Sequence, residues 1–534
     1  MKRKVLFLLT AVMVFSFAAC GEVKDESTDA VTEESADATE DTQEEAIEED
    51  TEEELFVIET PSYYLANYDK DEDEPLLTYS TQGLYLVNDG WENLKTAFDA
   101  YTQEKKEELD SEYESVLATL DDYSEADEYS YESSVSITRA DETVVSILNG
   151  TYSYLGGAHP NYVLSGYNYD SKTGEKLEIE DVVNDVDAFY NAVISQIEES
   201  EYATEEMVYE DWQNTVYAYF YDDTYSLVWN FTNEGLEVTF NPYELAPYAV
   251  GMITLDFSYD EYASLLKEEY VEEEGLLCKE ISSYADYELD IDGDGETEAV
   301  RVETNDDYEN DSTFELSVIV TVNGSQKTVL RDVNNSFNRA FLVENAEGEY
   351  YIYADIISDN DYHYLEVFDI NDTSNGPSYI GYSDCGAAYE GMILNSEHFI
   401  LSDRVNTLGS YTGYRECYVG EDGLPVAYGS EYMIKNYENI FGEDTLETER
   451  YLTLTQDLEV TVSDDKNFET TTEETLSSGD NIYPYATDAE SYMIFKLSDG
   501  RFAKVEIVKD EEEYVYYVNG INENDLFESV PYAG

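Results

Sequence analysis

The sequence predicts an α+β protein: an antiparallel sheet with helices on one side, followed by all-β modules. Three observations predict this. Apolar residues recur in steps of three and four around 91–120 and 187–197, the period of amphipathic helices. Alternating apolar and polar runs flank short turns such as Thr232-Asn-Glu-Gly235 and Asn323-Gly324, the mark of hairpins. Beyond residue 316 the pattern is strand after strand, joined by Gly and Asp turns.

The chain has 534 residues, too many for one core, so several domains are expected. Asp and Glu number 123 against 26 Lys and Arg, a formal charge of −97. Such a surface repels nucleic acid and attracts cations and basic proteins; it also keeps a protein soluble without any partner. The 52 tyrosines suit pleated sheets with a wet face.

The amino end reads as an address. Met1-Lys2-Arg3-Lys4 is a positive stretch, and Val5 to Phe17 is apolar but short for a bilayer span. Ala18-Ala19-Cys20-Gly21 then resembles the lipobox of bacterial lipoproteins, with Phe17 where Leu is usual. That resemblance implies a signal over 1–19, lipidation of Cys20 and residence on the outer face of the bacterial cytoplasmic membrane, held there by two or three acyl chains. Residues 20–55 are Glu, Asp, Thr, Ala and Ser with few large apolar side chains. They bury too little surface to offset chain entropy and should form a disordered tether, roughly 35 Å in root-mean-square span.

A domain over 61–270 follows. Trp91, Leu94, Phe98, Tyr101, Leu109, Tyr113, Val116 and Leu120 share a helical face, with a break expected in the charged middle. Ser134–Thr138 and Thr143–Leu148 read as a hairpin. Asp187 is expected to cap a helix that buries Phe189, Val193 and Ile197. Trp229–Phe231 and Leu236–Phe240 form a second hairpin. Val250 to Phe257 is a strand, and Tyr259 to Tyr270 a short helix.

Three residues here are candidates for ligand contact. His159, between a glycine pair and Pro160, would either cap carbonyls in a turn or meet a ligand or metal. Tyr243 and Tyr248, each beside a proline, would either pack or stack on a sugar.

Gly156-Gly157-Ala158-His159, Asn168-Tyr-Asp-Ser-Lys-Thr-Gly174, Phe240-Asn-Pro-Tyr-Glu-Leu-Ala-Pro-Tyr-Ala-Val-Gly251 and Phe257-Ser-Tyr259 together resemble the RsiV-type extracellular domain. That domain occurs in the anti-sigma factor RsiV and in PdaC-type peptidoglycan deacetylases. The resemblance implies an extracytoplasmic binding domain, and lysozyme or peptidoglycan as partner. The deacetylase His-x-x-x-His motif is absent from this sequence, and with it the metal set that an Asp-Asp dyad would complete. A Cys20 anchor would leave no segment inside the cell for a sigma factor.

A β-rich domain over 275–445 carries the sharpest motif. Asp290, Asp292, Asp294, Glu296 and Glu298 surround Gly293 and Gly295. Hard oxygens at positions one, three, five and nine, with the backbone carbonyl at seven, suit calcium. Position twelve is Arg301 and a strand follows, so this is a strand-flanked loop and not an EF-hand. Five short strands over 449–534 suggest a small SH3-like barrel. Cys278, Cys385 and Cys417 remain; outside the cell a Cys385–Cys417 bridge is allowed, and three buried thiols are the equal alternative.

The sequence contains no Gly-x-Ser-x-Gly, His-Glu-x-x-His or phosphate loop. It therefore reads as a non-catalytic surface protein that binds a wall fragment or a cationic protein. An enzyme acting on cell-wall polymer, or an accessory subunit of one, is the alternative.

Overall fold

The computed structural model describes residues 55–532 apart from 69–74, 119–128, 157, 205–206, 223, 272–275, 307–315, 332–334, 359–361, 384, 389–392, 436–440, 442–449 and 511. The expected signal, Cys20 and the acidic tether up to residue 54 lie outside the described residues. No described helix is long and apolar enough to cross a membrane.

The first sheet holds Ser62–Tyr68, Pro75–Gln82, Tyr129–Ala140, Val144–Tyr154 and Asn161–Asp170, in that order. Its pairings are antiparallel except one: Pro75–Gln82 lies parallel to Tyr129–Ala140. A parallel pair needs a crossover, and helix Glu92–Leu117 lies within it. That helix runs through its charged middle without a break. Lys105 is the reason: it is buried, its ammonium sits 5.0 Å over the Tyr167 ring, and Glu108 pairs with it at 2.8 Å. The stem adds to the apolar face while the charge stays compensated.

A second sheet of Val228–Phe231, Gly235–Phe240 and Ile253–Ser258 is antiparallel. Helices Val186–Glu199 and Trp212–Tyr221 pack Phe189, Val193, Ile197, Val216 and Phe220 into one core with Phe231, Val238 and Phe257. Asp185 caps the first of these helices by accepting the Ala188 N–H at 3.0 Å. Asp187, the expected cap, instead accepts the Tyr221 hydroxyl at 2.6 Å. The helix expected up to Tyr270 ends at Tyr262, followed by two single 3₁₀ turns. The Lys267 N–H donates to the Val182 carbonyl at 2.9 Å, and that tie draws the chain away from a continued helix.

Farther on, Asp286–Leu289, Glu298–Asp306, Leu316–Val322 and Ser325–Arg331 form an antiparallel meander. It packs on a five-stranded sheet of Cys278–Ile281, Ser336–Glu344, Tyr350–Ser358, Tyr362–Asp369 and Ser378–Tyr382. Val300, Val302, Val318 and Val320 face Ala340, Leu342, Ile352 and Ile356. The opposite face of the five-stranded sheet is buried too, through Phe341, Val343, Tyr353 and Leu365 against Phe399, Leu401 and Cys417. Cys278, Cys385 and Cys417 are all buried.

The strands expected to close a small barrel do not close among the described residues. They extend an open sheet that begins at Ala387–Ala388 and runs through Tyr411–Val419 and Tyr432–Ile434 to Asn481–Thr487, Tyr492–Leu497, Phe502–Asp510 and Leu458–Ser463. Asn481–Thr487 pairs with Tyr432–Ile434 on one side and Tyr492–Leu497 on the other. The edge toward Tyr432–Ile434 also carries Leu452–Thr453, opposite Ile482 and Asn481, so Leu458–Ser463 finds no free edge there to seal a barrel. The outer strand Thr471–Leu476 has no apolar alternation because it lies at the edge with mostly exposed side chains.

Candidate ligand-binding site

Two sheets meet at Gly166. A Cβ there would lie 2.2 Å from the Trp229 carbonyl oxygen. Only glycine lets Asn161–Asp170 approach Val228–Phe231 so closely. Side chains of the first sheet then serve the backbone of the second. Asn168 Nδ2 donates to the Trp229 carbonyl at 3.0 Å, and the Phe231 N–H donates to Ser146 Oγ at 2.8 Å. The Ser146 hydroxyl donates to Asn168 Oδ1 at 2.6 Å. These polar atoms are buried and mutually satisfied, which fixes the angle between the sheets.

Asn241 docks the next loop. Its Oδ1 accepts the Leu164 N–H at 2.7 Å, and its Nδ2 donates to the Leu164 carbonyl at 3.1 Å. The amide thus mimics one more pairing along the strand edge. It sets the loop bearing Tyr243 and Tyr248 beside the turn bearing His159.

The three candidate residues come together there. His159 Nε2 lies 3.1 Å from the Tyr243 hydroxyl, although the two are 84 positions apart. The His159 and Tyr248 rings stack with centroids 3.8 Å apart and planes 20° apart. The Tyr248 hydroxyl donates to the Pro160 carbonyl at 3.0 Å, which also lies 2.8 Å from His159 Nδ1. A proton on Nδ1 and a lone pair on Nε2 satisfy every contact of the ring. Tyr243 has φ 72°, a left-handed conformation unusual for a tyrosine, and its side chain is 53% exposed. The arrangement is a fixed aromatic face with hydroxyl and imidazole edges. Both imidazole nitrogens are engaged, which holds the ring in one orientation for stacking and hydrogen bonding.

The acidic loop joins strands Asp286–Leu289 and Glu298–Asp306. Carboxylate oxygens of Asp290, Asp292 and Asp294 lie within 4.8 Å of one another. Asp290 accepts the N–H groups of Asp294 and Gly295, both at 3.0 Å, and Asp294 accepts that of Glu296 at 2.9 Å. Asp292 accepts the Thr373 hydroxyl at 2.9 Å. Glu298, expected as a side-chain ligand, lies outside this cluster, while Glu296 is expected to offer only its backbone carbonyl. Glu298 is buried and its carboxylate accepts the Ile291 N–H at 3.0 Å, which closes the loop from within. Three hard carboxylates so grouped are donors of the kind that calcium takes.

Other polar groups escaped sequence reasoning. Arg139 is buried, paired with Asp141, and donates to the Tyr259 hydroxyl at 2.6 Å and the Tyr270 carbonyl at 3.0 Å. A cavity of about 290 Å³ lies between the second sheet and Cys278–Ile281 and is lined by Glu234, Glu237, Asp256, Lys279 and Glu280. Burial pushes the Glu237 carboxyl above the usual range, against the Asn230 amide that donates to it at 3.1 Å. Local spacing did not mark these residues, because Tyr259 and Tyr270 reach Arg139, and Lys279 and Glu280 reach the cavity, from distant segments.

Residues 180–260 match the family model described as a protein of unknown function, DUF3298. The matched span contains the second sheet, Asn241, Tyr243 and Tyr248, and leaves out His159. No protein among the curated ones matches. The solved structures similar to this chain include a DUF3298 family member from Bacteroides fragilis, at 15% identity and TM-score 0.31, covering 40% of this chain and 94% of that one. Another is a DUF3298 family protein from Pseudomonas aeruginosa PAO1, at 16% identity and TM-score 0.32, covering 42% of this chain and 99% of that one.

Proposed function

We propose that this chain is a non-catalytic surface protein, anchored by lipid at Cys20, whose DUF3298-containing, RsiV-like domain binds an envelope ligand through His159, Tyr243 and Tyr248. One observation carries the reading: residues 84 positions apart converge on one exposed, pre-oriented aromatic face. Such a face suits the apolar side of a sugar ring, so a peptidoglycan fragment is the preferred ligand. It needs little reordering on binding, which favours affinity. The charge of −97 would also draw a basic protein such as lysozyme, by steering more than by specificity.

Calorimetry of the mature chain with soluble peptidoglycan fragments tests this. The wild type should bind, and Tyr248→Ala should weaken binding about tenfold, the loss of roughly 1.4 kcal/mol of stacking. Equal affinity of the two proteins would remove the site. Turnover of the fragments would overturn the non-catalytic reading.

Calcium at Asp290, Asp292 and Asp294 serves to hold the loop, since the charges it would neutralise otherwise repel. At a hundredfold excess over Kd, calcium should stabilise the fold by about 2.7 kcal/mol, read as a rise in melting temperature. Asp292→Asn should lose most of that rise. An unchanged melting temperature in millimolar calcium would show that the loop stays a plain acidic turn.

A further inference from the structure

Cys385 and Cys417 meet in the core between two sheets, and we propose that they are a disulfide-forming pair, with Cys278 kept as a thiol. The Cys385 thiol is the neighbour that most perturbs the thiol of Cys417. Both residues are buried, in one apolar cluster with Phe399 and Leu401. The backbone holds them there. The Cys385 N–H donates to Ser383 Oγ at 3.0 Å. Next to it, Gly386 has φ 101°, and a Cβ at that position would lie 2.0 Å from the Ser402 carbonyl oxygen. The segment is therefore pressed against strand Phe399–Val405, and the Cys385 thiol reaches the Pro425 carbonyl at 3.6 Å, two residues from Ala427, a register partner of Cys417. Cys278 has a different neighbour: its thiol donates to the Ile393 carbonyl at 3.2 Å.

The step is thiol–disulfide exchange with an oxidised low-molecular-weight disulfide. One cysteine loses its proton and its thiolate attacks that disulfide, expelling one thiolate. The second cysteine, deprotonated in turn, attacks the protein sulfur of the mixed disulfide and expels the other. Two protons and two electrons leave the protein, and the oxidant departs as two thiols. The neighbouring Cys385 thiol and burial push the Cys417 thiol far up, so thiolate is scarce once the fold is complete. Exchange thus belongs to the folding chain, before the core closes. The finished bond is then shielded from reductant.

Oxidation in the cell rests on the proposed location outside the cytoplasm; pairing itself does not. The mature chain, reduced and unfolded, is refolded in a glutathione redox buffer, alkylated in denaturant, cleaved and mapped by mass. The expected product joins the Cys385 and Cys417 peptides and leaves Cys278 alkylated. In the folded state the bond should resist dithiothreitol at least tenfold longer than in denaturant. Alkylation of both Cys385 and Cys417, or a link from either to Cys278, overturns the pairing. Alkylation of the chain inside living cells before lysis reads the location separately. A bridge present there supports both statements. A bridge formed in the buffer but missing in cells supports the pairing and counts against the location.

Discussion

Arg139→Met lowers the unfolding free energy by about 3–5 kcal/mol, the usual result of removing one partner of a buried ion pair. Arg139 is 2% exposed. Its guanidinium pairs with Asp141, bonds Tyr259 and the Tyr270 carbonyl, and lies 5.4 Å over the Phe231 ring. The turn between Tyr129–Ala140 and Val144–Tyr154 is thereby tied to the end of the second sheet. Methionine fills similar volume but leaves Asp141 without its cation and the Tyr270 carbonyl without that donor. Asp141 also accepts the Thr143 and Val144 N–H groups, at 2.6 and 2.9 Å, so it cannot simply swing into water. Arg501→Met is the comparison. Arg501 pairs with Glu474 and Asp499 at the surface, where such pairs are worth about 0–1 kcal/mol. Urea unfolding decides between the two, and an Arg139 variant within 0.5 kcal/mol, on the order of a surface change, would show that the network is idle.

Gly166→Ala should cost about 3 kcal/mol or more, at the upper end of overpacking effects. The added methyl carbon would meet the Trp229 carbonyl oxygen at 2.2 Å and its nitrogen at 3.1 Å. Both are backbone atoms, so no rotamer change relieves the clash; one sheet must move off the other. Moving it breaks the Asn168 and Ser146 bonds and shifts the loop that Asn241 docks. The variant should therefore lose fragment binding as well as stability. Gly381→Ala is the control, because nothing lies within 4 Å of a Cβ there. Thermal unfolding of both measures the contrast. A Gly166 variant as stable as the Gly381 one would mean that the sheets are not in close register.

Much of the local structure was legible. Phe189, Val193 and Ile197 face the core at helical spacing, and Leu316–Val322 alternates buried and half-buried along its length. Asn323 and Gly324 take φ 47° and 79°, the conformation that an Asn-Gly hairpin turn requires. The spacing of Asp290, Asp292 and Asp294 brings their oxygens together because a short turn leaves few other outcomes. These signals share one origin: each depends on residues a few positions apart, whose relative geometry the backbone period already sets.

By itself, then, the chain specified its β-rich α+β class, its helical faces, its hairpins and its acidic turn. Only the tertiary structure decided that Pro75–Gln82 runs parallel to its neighbour, that the final strands stay open, that Glu298 turns inward, and that His159, Tyr243 and Tyr248 share one face. Periodicity tells a side chain which way to point but does not name its partner. Partners are chosen when sheets close against each other, and here that choice falls to Gly166, Asn168 and Asn241, where the absence of a Cβ and two buried amides set the distance between segments far apart in sequence.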